Sequence, residues 1–471
     1  MGFWPTSLPL GNLQSLVPTW LKPQNAANVR FLLYGIFLGF SFSLTATSFV
    51  IYHREKRQRE VASSFQSRPI ELRSDEIAQG LTGLIGNTPL IRINSLSDAL
   101  GVNILGKAEF LNPGGSVKDR VALRIIEDAE RQGLLHPHTG SRIFEGTVGS
   151  TGISIATIAK ARPRVWVAII MPDDIAVEKV NALRCLGATV ERVRPASIVD
   201  TKHNVARQYA ANFSTNDAKD PLSHHLVQST ESVLVTTTVN LLPPRGDGVG
   251  RSGDIVDPEF EPRGFFADQF ENRSNFDAHF EGTGPEIWRQ TNGMVDAFVA
   301  GAGTGGTISG IGGFLKSVKE DVKILLADPE GSGLYNKVKH GVMFDRREAE
   351  GTKRRHQVDT VVEGIGINRV VKNFERALPI IDDAFRITDP EAVGMARFLV
   401  ENDGLFVGSS SACNLVAAVR YVRKMGWKDG QNVVTILCDS GNRHYSKFWN
   451  DEYLRNAGIS IDTQIITDML H

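Results

Sequence analysis

The sequence is poor in cysteine, has almost no excess charge of either sign, and shows no metal-ligand spacing. Cys185, Cys413 and Cys438 are the three cysteines among 471 residues. Far apart and without a CxxC pair, they argue against a disulfide framework and a zinc site, and they suit a reducing compartment. A formal net charge of −1 supplies no field to gather nucleic acid, and apart from one run near residue 55 the basic residues are scattered. His224 and His225 are adjacent, so their side chains diverge, and no third ligand accompanies them; no metal is expected. What the chain does have is ordinary globular composition, 41% hydrophobic and 22% charged, at a length that suits two or three domains.

Residues 31–52 contain no charged side chain, and as a helix they would span about 33 Å, enough to cross a bilayer. Residues 53–59 follow with four basic side chains against the single acid Glu55, which by the positive-inside rule leaves the C-terminal body on the cytosolic side. Residues 1–30 contain Lys22, Arg30 and no acid, a pattern compatible with mitochondrial targeting. The expected order is an N-terminal tail over 1–30, a transmembrane anchor over 31–52 and a basic linker over 53–80. The lipid bilayer is therefore an expected partner, with the mitochondrial outer membrane as the address and the endoplasmic reticulum as the alternative. Gly2 with Thr6 matches a myristoylation pattern, but Trp4 and Pro5 count against it.

From about Leu81 onward one arrangement recurs: an apolar β-rich run, a turn of glycine and small polar residues, then helical spacing. Strands are expected at 102–111, 142–145, 165–170, 295–300, 322–326, 404–407 and 432–437. This predicts an α/β fold with largely parallel sheets, whose loops at the carboxyl ends of strands line a ligand crevice. The body is expected over 81–211 and 263–455, with a C-terminal tail over 456–471. Between them, 212–262 is rich in Ser, Thr, Asp, Pro and Gly, with one β-like run at 233–239. It reads as a flexible insertion, because a structureless loop of that length is improbable inside a compact domain.

Leu111 to Arg120 reads LNPGGSVKDR and leads into a helix with apolar Val117, Val121, Ile125 and Ala129. Ser116 with Asp119 forms the pattern of a capping box, placing Lys118 in the first turn. A cation there opposes the helix dipole, which favours the neutral amine that imine formation with an aldehyde cofactor requires. On this motif alone a solvent-facing lysine fits equally well. Gly303, Thr304, Gly305, Gly306 and Thr307 follow an apolar strand and precede a helix. Glycines there let backbone amides close on an anion at a helix N-terminus. The spacing is neither a Walker loop nor a dinucleotide fingerprint.

Four motifs in order, NPGGSVKDR, GTVGSTG from Gly146, GTGGT from Gly303 and CDSGNR from Cys438, resemble the motif set of fold-type II pyridoxal-phosphate enzymes. They are similar in particular to cysteine synthase (O-acetylserine sulfhydrylase) and its cystathionine β-synthase relatives, from about Leu81 to Lys447. The resemblance implies two interleaved open twisted sheets flanked by helices, of the tryptophan synthase β type, in addition to the N-terminal transmembrane helix, and a homodimer. It also implies pyridoxal 5′-phosphate held as an imine on Lys118, which removes the substrate Cα proton. Gly303 to Thr307 would hold the phosphate, and Ser150 would stand where the family has the asparagine that bonds the ring oxygen. Ser440 would face the pyridine nitrogen. A hydroxyl there does not enforce ring protonation, which favours β-elimination over transamination. Thr147, Val148, Gly149, Ser150, Thr151 and Gln269 would bind the substrate carboxylate. The implied reaction makes L-cysteine from O-acetyl-L-serine and sulfide through an aminoacrylate, releasing acetate.

The chain departs from the family at Val148 and Ser150, where TSGNTG is usual, at Cys438, where proline is usual, and at Gly408 to Ala412, GSSSA in place of GISSG. Alternative readings are a serine or threonine dehydratase, a cystathionine β-synthase-like enzyme, and a cofactor-binding membrane scaffold without turnover. The chain ends soon after CDSGNR, which counts against a regulated cystathionine β-synthase with a tandem domain.

Overall fold

Long apolar runs that alternate with glycine-punctuated helices are what a sheet buried on both faces demands. The computed structural model bears this out over residues 77–194, 204–213, 261–345 and 360–471; it also describes 34–43, 45, 48, 49, 52 and 56. The strands are β1 (Leu90–Arg92), β2 (Asn103–Ala108), β3 (Arg142–Gly146), β4 (Trp166–Pro172), β5 (Thr189–Val193), β6 (Gly264–Phe266), β7 (Ala297–Gly301), β8 (Lys323–Pro329), β9 (Asp383–Ile387) and β10 (Asn432–Leu437). They form a six-stranded sheet ordered β1-β2-β10-β7-β8-β9 and a four-stranded sheet ordered β5-β4-β3-β6. Every pairing is parallel except β1 with β2. The chain starts the larger sheet, leaves to build the smaller one, and returns, which is the interleaving expected.

The last strand draws the distant motifs together. β10 inserts between β2 and β7, with Leu437 opposite Ala108 and Val433 opposite Ala297. Three motifs distant in sequence therefore leave adjacent strands at the same edge. Asn414, buried on the helix Ser409–Met425, ties that edge together: its Oδ1 accepts from Gly301 N at 2.7 Å and its Nδ2 donates to Ile436 O at 2.9 Å. Around it the larger sheet buries a core that includes Val299, Leu325, Leu399, Val416 and Leu437.

Two expectations are corrected. Residues 404–407 form no strand: Gly404, at φ 65°, caps the helix Asp389–Asp403, and Val407 makes only an isolated bridge to Ser440. Residues 456–471, expected as a tail, contribute the helix Gln464–Leu470, whose Ile466 and Leu470 are buried in the core of the larger sheet. The β-like run at 233–239 and most of the 212–262 insertion lie outside the described residues.

The chain divides into two units, Met1–Arg68 and Pro69–His471. In the first, the described residues are helical and expose apolar side chains such as Phe37 and Phe42. Among the described residues no helix is long and apolar enough to cross a membrane. The anchor expected over 31–52 falls partly outside the described residues.

A buried charge cluster fixes the helix Lys118–Arg131 to the larger sheet. Arg120 pairs with Glu109 and with Glu286, and Lys107, fully buried, pairs with Glu286, each at 2.7 Å. Burial alone would raise the Glu286 carboxyl, but Arg120 and Lys107 hold it below the usual carboxylate range. Removing one member of such a cluster leaves buried charge uncompensated. Glu286→Ala is expected to lower unfolding free energy by about 3–5 kcal/mol, measured by urea denaturation; a loss below about 1 kcal/mol would mean the cluster is solvated.

Candidate active site

The segment that carries Lys118 is held by the end of β10. Ser116 bridges Asp439, and Val117 N donates to Cys438 O at 3.0 Å. The helix begins at Lys118 as expected, and Val121, Ile125 and Ala129 are buried. The capping box is not formed. Ser116 Oγ accepts from Lys118 N at 3.2 Å, while the Asp119 carboxylate turns back to accept from Gly114 N and from Ser154 Oγ. Those bonds rigidify the glycine turn instead of capping the helix. Lys118 is partly buried; lost hydration lowers its amine below the ordinary lysine range, although Cys438 and Asp439 pull the other way.

The glycine run after β7 is an amide cradle opening the helix Gly306–Val318. Gly305 sits at φ 83°, and a Cβ there would lie 2.5 Å from Phe374 N. A Cβ on Gly303 would lie 2.6 Å from Gly364 O. These positions leave room only for backbone, which is what close approach to a phosphate needs. Thr304 is buried and accepts from Asn275 Nδ2 at 2.9 Å.

The third loop, after β3, starts the helix Ser150–Ala159, with Gly149 at φ 123°. Thr151 Oγ1 donates to Gln269 Oε1 at 2.5 Å, and Gln269 Nε2 donates to Gly146 O at 3.0 Å. The two expected carboxylate ligands are therefore already linked. Ser150 Oγ accepts from Arg443 Nη1 at 3.3 Å.

A cavity of about 220 Å³ joins these loops. It is lined by Lys118, Thr147, Val148, Ser150, Thr151, Gln269, Gly303, Thr304, Gly305 and Thr307 among the residues singled out in the sequence. Gly149, Gly306 and Ser440 do not line it. Ser440 follows the lining residues Cys438 and Asp439, and its hydroxyl accepts from Asn442 N at 3.3 Å. The Cys438 thiol is pushed up to about 11, chiefly by burial, so it is an uncharged wall group. The sequence reading missed Lys179, Glu363 and Asn414, which also line the cavity, as does Ser410 of the GSSSA segment. Lys179 and Glu363 form an ion pair at its wall. The alternating glycines Gly364 and Gly366 after an apolar pair were the available signal for that loop; nothing local marks Lys179.

Residues 81–238 and 254–439 match the family model for pyridoxal-phosphate dependent enzymes, and the chain belongs to that family. The unmatched residues 239–253 fall within the expected insertion. Its curated relatives include a Schizosaccharomyces pombe protein named cysteine synthase 2, 51% identical over 82% of this chain and 87% of that protein. A Saccharomyces cerevisiae protein named "Putative mitochondrial cysteine synthase" is 46% identical over 82% of this chain and 88% of its own length. A crystal structure of a hydrogen sulfide-producing enzyme from Fusobacterium nucleatum superimposes with a TM-score of 0.59 at 27% identity, covering 78% of this chain and all of that one.

The residues present fit pyridoxal phosphate. A lysine of lowered basicity and an amide cradle that excludes side chains share one cavity with a hydroxyl-rich loop. The lowered basicity has a consequence for stability. Folding disfavours the Lys118 ammonium, and this destabilisation, fully present below the lowered folded value, fades as pH rises from there toward that of an ordinary lysine, the range in which the unfolded chain binds more protons. In the cofactor-free protein Lys118→Met is expected to be more stable than wild type at pH 7, with the gap closing near pH 10; urea midpoints measure it, and a pH-independent gap would contradict the assignment.

Proposed function

We propose that this protein makes L-cysteine from O-acetyl-L-serine and sulfide, releasing acetate, with pyridoxal phosphate held on Lys118. The observation that carries the reading is the single cavity that gathers Lys118, the Gly303–Thr307 cradle and the Thr147–Thr151 loop, in a chain whose curated relatives are named cysteine synthases. Pyridoxal phosphate, when bound, supplies an aldehyde for the substrate amine and an electron sink for Cα. Lys118, more readily neutral than an ordinary lysine, takes the Cα proton as acetate leaves Cβ and returns it once sulfur has bonded to Cβ. Thr147, Thr151, Gln269 and the amides of Val148, Gly149 and Ser150 hold the substrate carboxylate. Backbone amides of Gly303, Thr304, Gly305, Gly306 and Thr307 hold the phosphate. Ser440 is assigned to the ring nitrogen, and Ser150 to the ring oxygen.

The purified protein is expected to be yellow and to form cysteine from O-acetylserine and sulfide, with both properties lost in Lys118→Ala. A colourless wild type would remove the cofactor assignment. A yellow wild type that releases pyruvate from serine and makes no cysteine would shift the reading to a dehydratase.

The 31–52 segment is assigned as an anchor in the mitochondrial outer membrane, with the body facing the cytosol and assembled as a homodimer. The charge-free run and the exposed Phe37 and Phe42 support the anchor, and the acid-free residues 1–30 support the organelle. Deletion of 31–52 is expected to release the protein from carbonate-washed mitochondrial membranes; membrane retention of the deletion variant contradicts the anchor.

A further inference from the structure

Between β6 and β7 the chain runs from the helix Ser274–Ala278 into a π-helical turn, His279–Thr283, and on into the helix Gly284–Gln290. Such turns are rare and recur at functional sites. This one presses His279, fully buried, against the helix that begins at the cradle: a Cβ on Gly310 would lie 2.6 Å from His279 Cβ. Glycine at 310 is what lets the ring approach.

Both ring nitrogens are engaged. Nδ1 lies 2.9 Å from Thr283 Oγ1, and Nε2 lies 3.2 Å from Thr307 Oγ1. Burial, then the positive charges of Lys118 and Arg120, push His279 well below the ordinary histidine range. The ring is therefore neutral and carries one proton. Both distances suit either tautomer; in the one with the Thr283 hydroxyl donating to Nδ1, the proton stands on Nε2 and Thr307 accepts from it. A threonine hydroxyl whose oxygen is so held keeps its own proton to donate elsewhere, and Thr307 lines the cavity at the last position of the cradle.

We infer that His279 is a positioning residue of the cradle: its Nε2–H holds the Thr307 oxygen so that the threonine proton is aimed at the cofactor phosphate. This rests on the reading of Gly303–Thr307 as the phosphate site. A histidine that merely filled space would leave the phosphate's hydrogen bonding unchanged when replaced by a side chain of similar volume.

The test titrates pyridoxal phosphate into the full-length cofactor-free protein by absorbance and follows the bound phosphate by phosphorus-31 NMR. His279→Ala is expected to weaken cofactor affinity about tenfold, the order expected for a lost buried hydrogen bond, and to shift the phosphorus resonance. His279→Gln, whose amide nitrogen can reach the same place, is expected to retain most of the affinity. In a Thr307→Val background His279→Ala is expected to add nothing. Wild-type affinity in His279→Ala, independent multiplying losses in the double variant, or no rescue by His279→Gln each overturn the inference. If His279→Ala does not fold, an unchanged phosphorus resonance in Thr307→Val overturns it. A wild type that binds no pyridoxal phosphate removes the phosphate-site reading itself, whereas a wild type that binds it while His279→Ala matches it removes only the role of His279.

Discussion

An amine withdrawn from water at the positive end of a helix is electrostatically unfavourable, and much of the structure serves to keep one there. Lys118 opens its helix, where the dipole opposes an ammonium, and partial burial adds to the penalty. The segment could relieve both by fraying into solvent, but it is held from three sides. Val117 is hydrogen-bonded to the end of β10, Asp119 locks the preceding glycine turn, and Arg120 is anchored among Glu109 and Glu286. The cost is thereby converted into a lysine that gives up its proton more easily, which is what carbonyl and proton-transfer chemistry require.

Across the cavity the Gly303–Thr307 turn presents backbone amides at a helix N-terminus, which supply a graded positive potential for an anion. The glycines of the cradle are enforced by neighbours, Phe374 and Gly364, and not by the turn alone. Because β7 and β10 are adjacent and Asn414 bonds to both, the amine and the cradle are parts of one rigid edge. The Thr147–Thr151 loop stands on the other sheet, linked to Gln269 and packed against Lys179, whose ion pair with Glu363 connects the two sheets at the cavity wall.

Two of the departures from the family pattern, Val148 and Ser150, fall on this second side, whereas Cys438 and Gly408 to Ala412 stand on the side of the larger sheet. Val148 and Ser150 both line the cavity, and Ser150 is engaged by Arg443, which also donates to Gly114 O. The CDSGNR segment thus reaches both the Thr147–Thr151 loop and the turn before Lys118. Ser440, by contrast, stands just outside the lining, with Cys438 and Asp439 inside it.

What the sequence determined by itself was whatever depends on neighbours along the chain. β10 and β3 were legible nearly to the residue because buried parallel strands are continuous apolar runs, and the start of the Lys118 helix was legible from its 3.6-residue spacing. The glycine cradle was visible as a turn before a helix. Tertiary structure decided the rest. It redirected Asp119 from a cap to the glycine turn, turned 404–407 from strand to helix cap, and buried Ile466 and Leu470. It also placed Lys179 and Glu363 at the site and His279 against Thr307, through contacts between residues 184 and 28 positions apart. Hydrogen bonds of that range depend on where β10 inserts and how the two sheets close on one another, which no local pattern encodes.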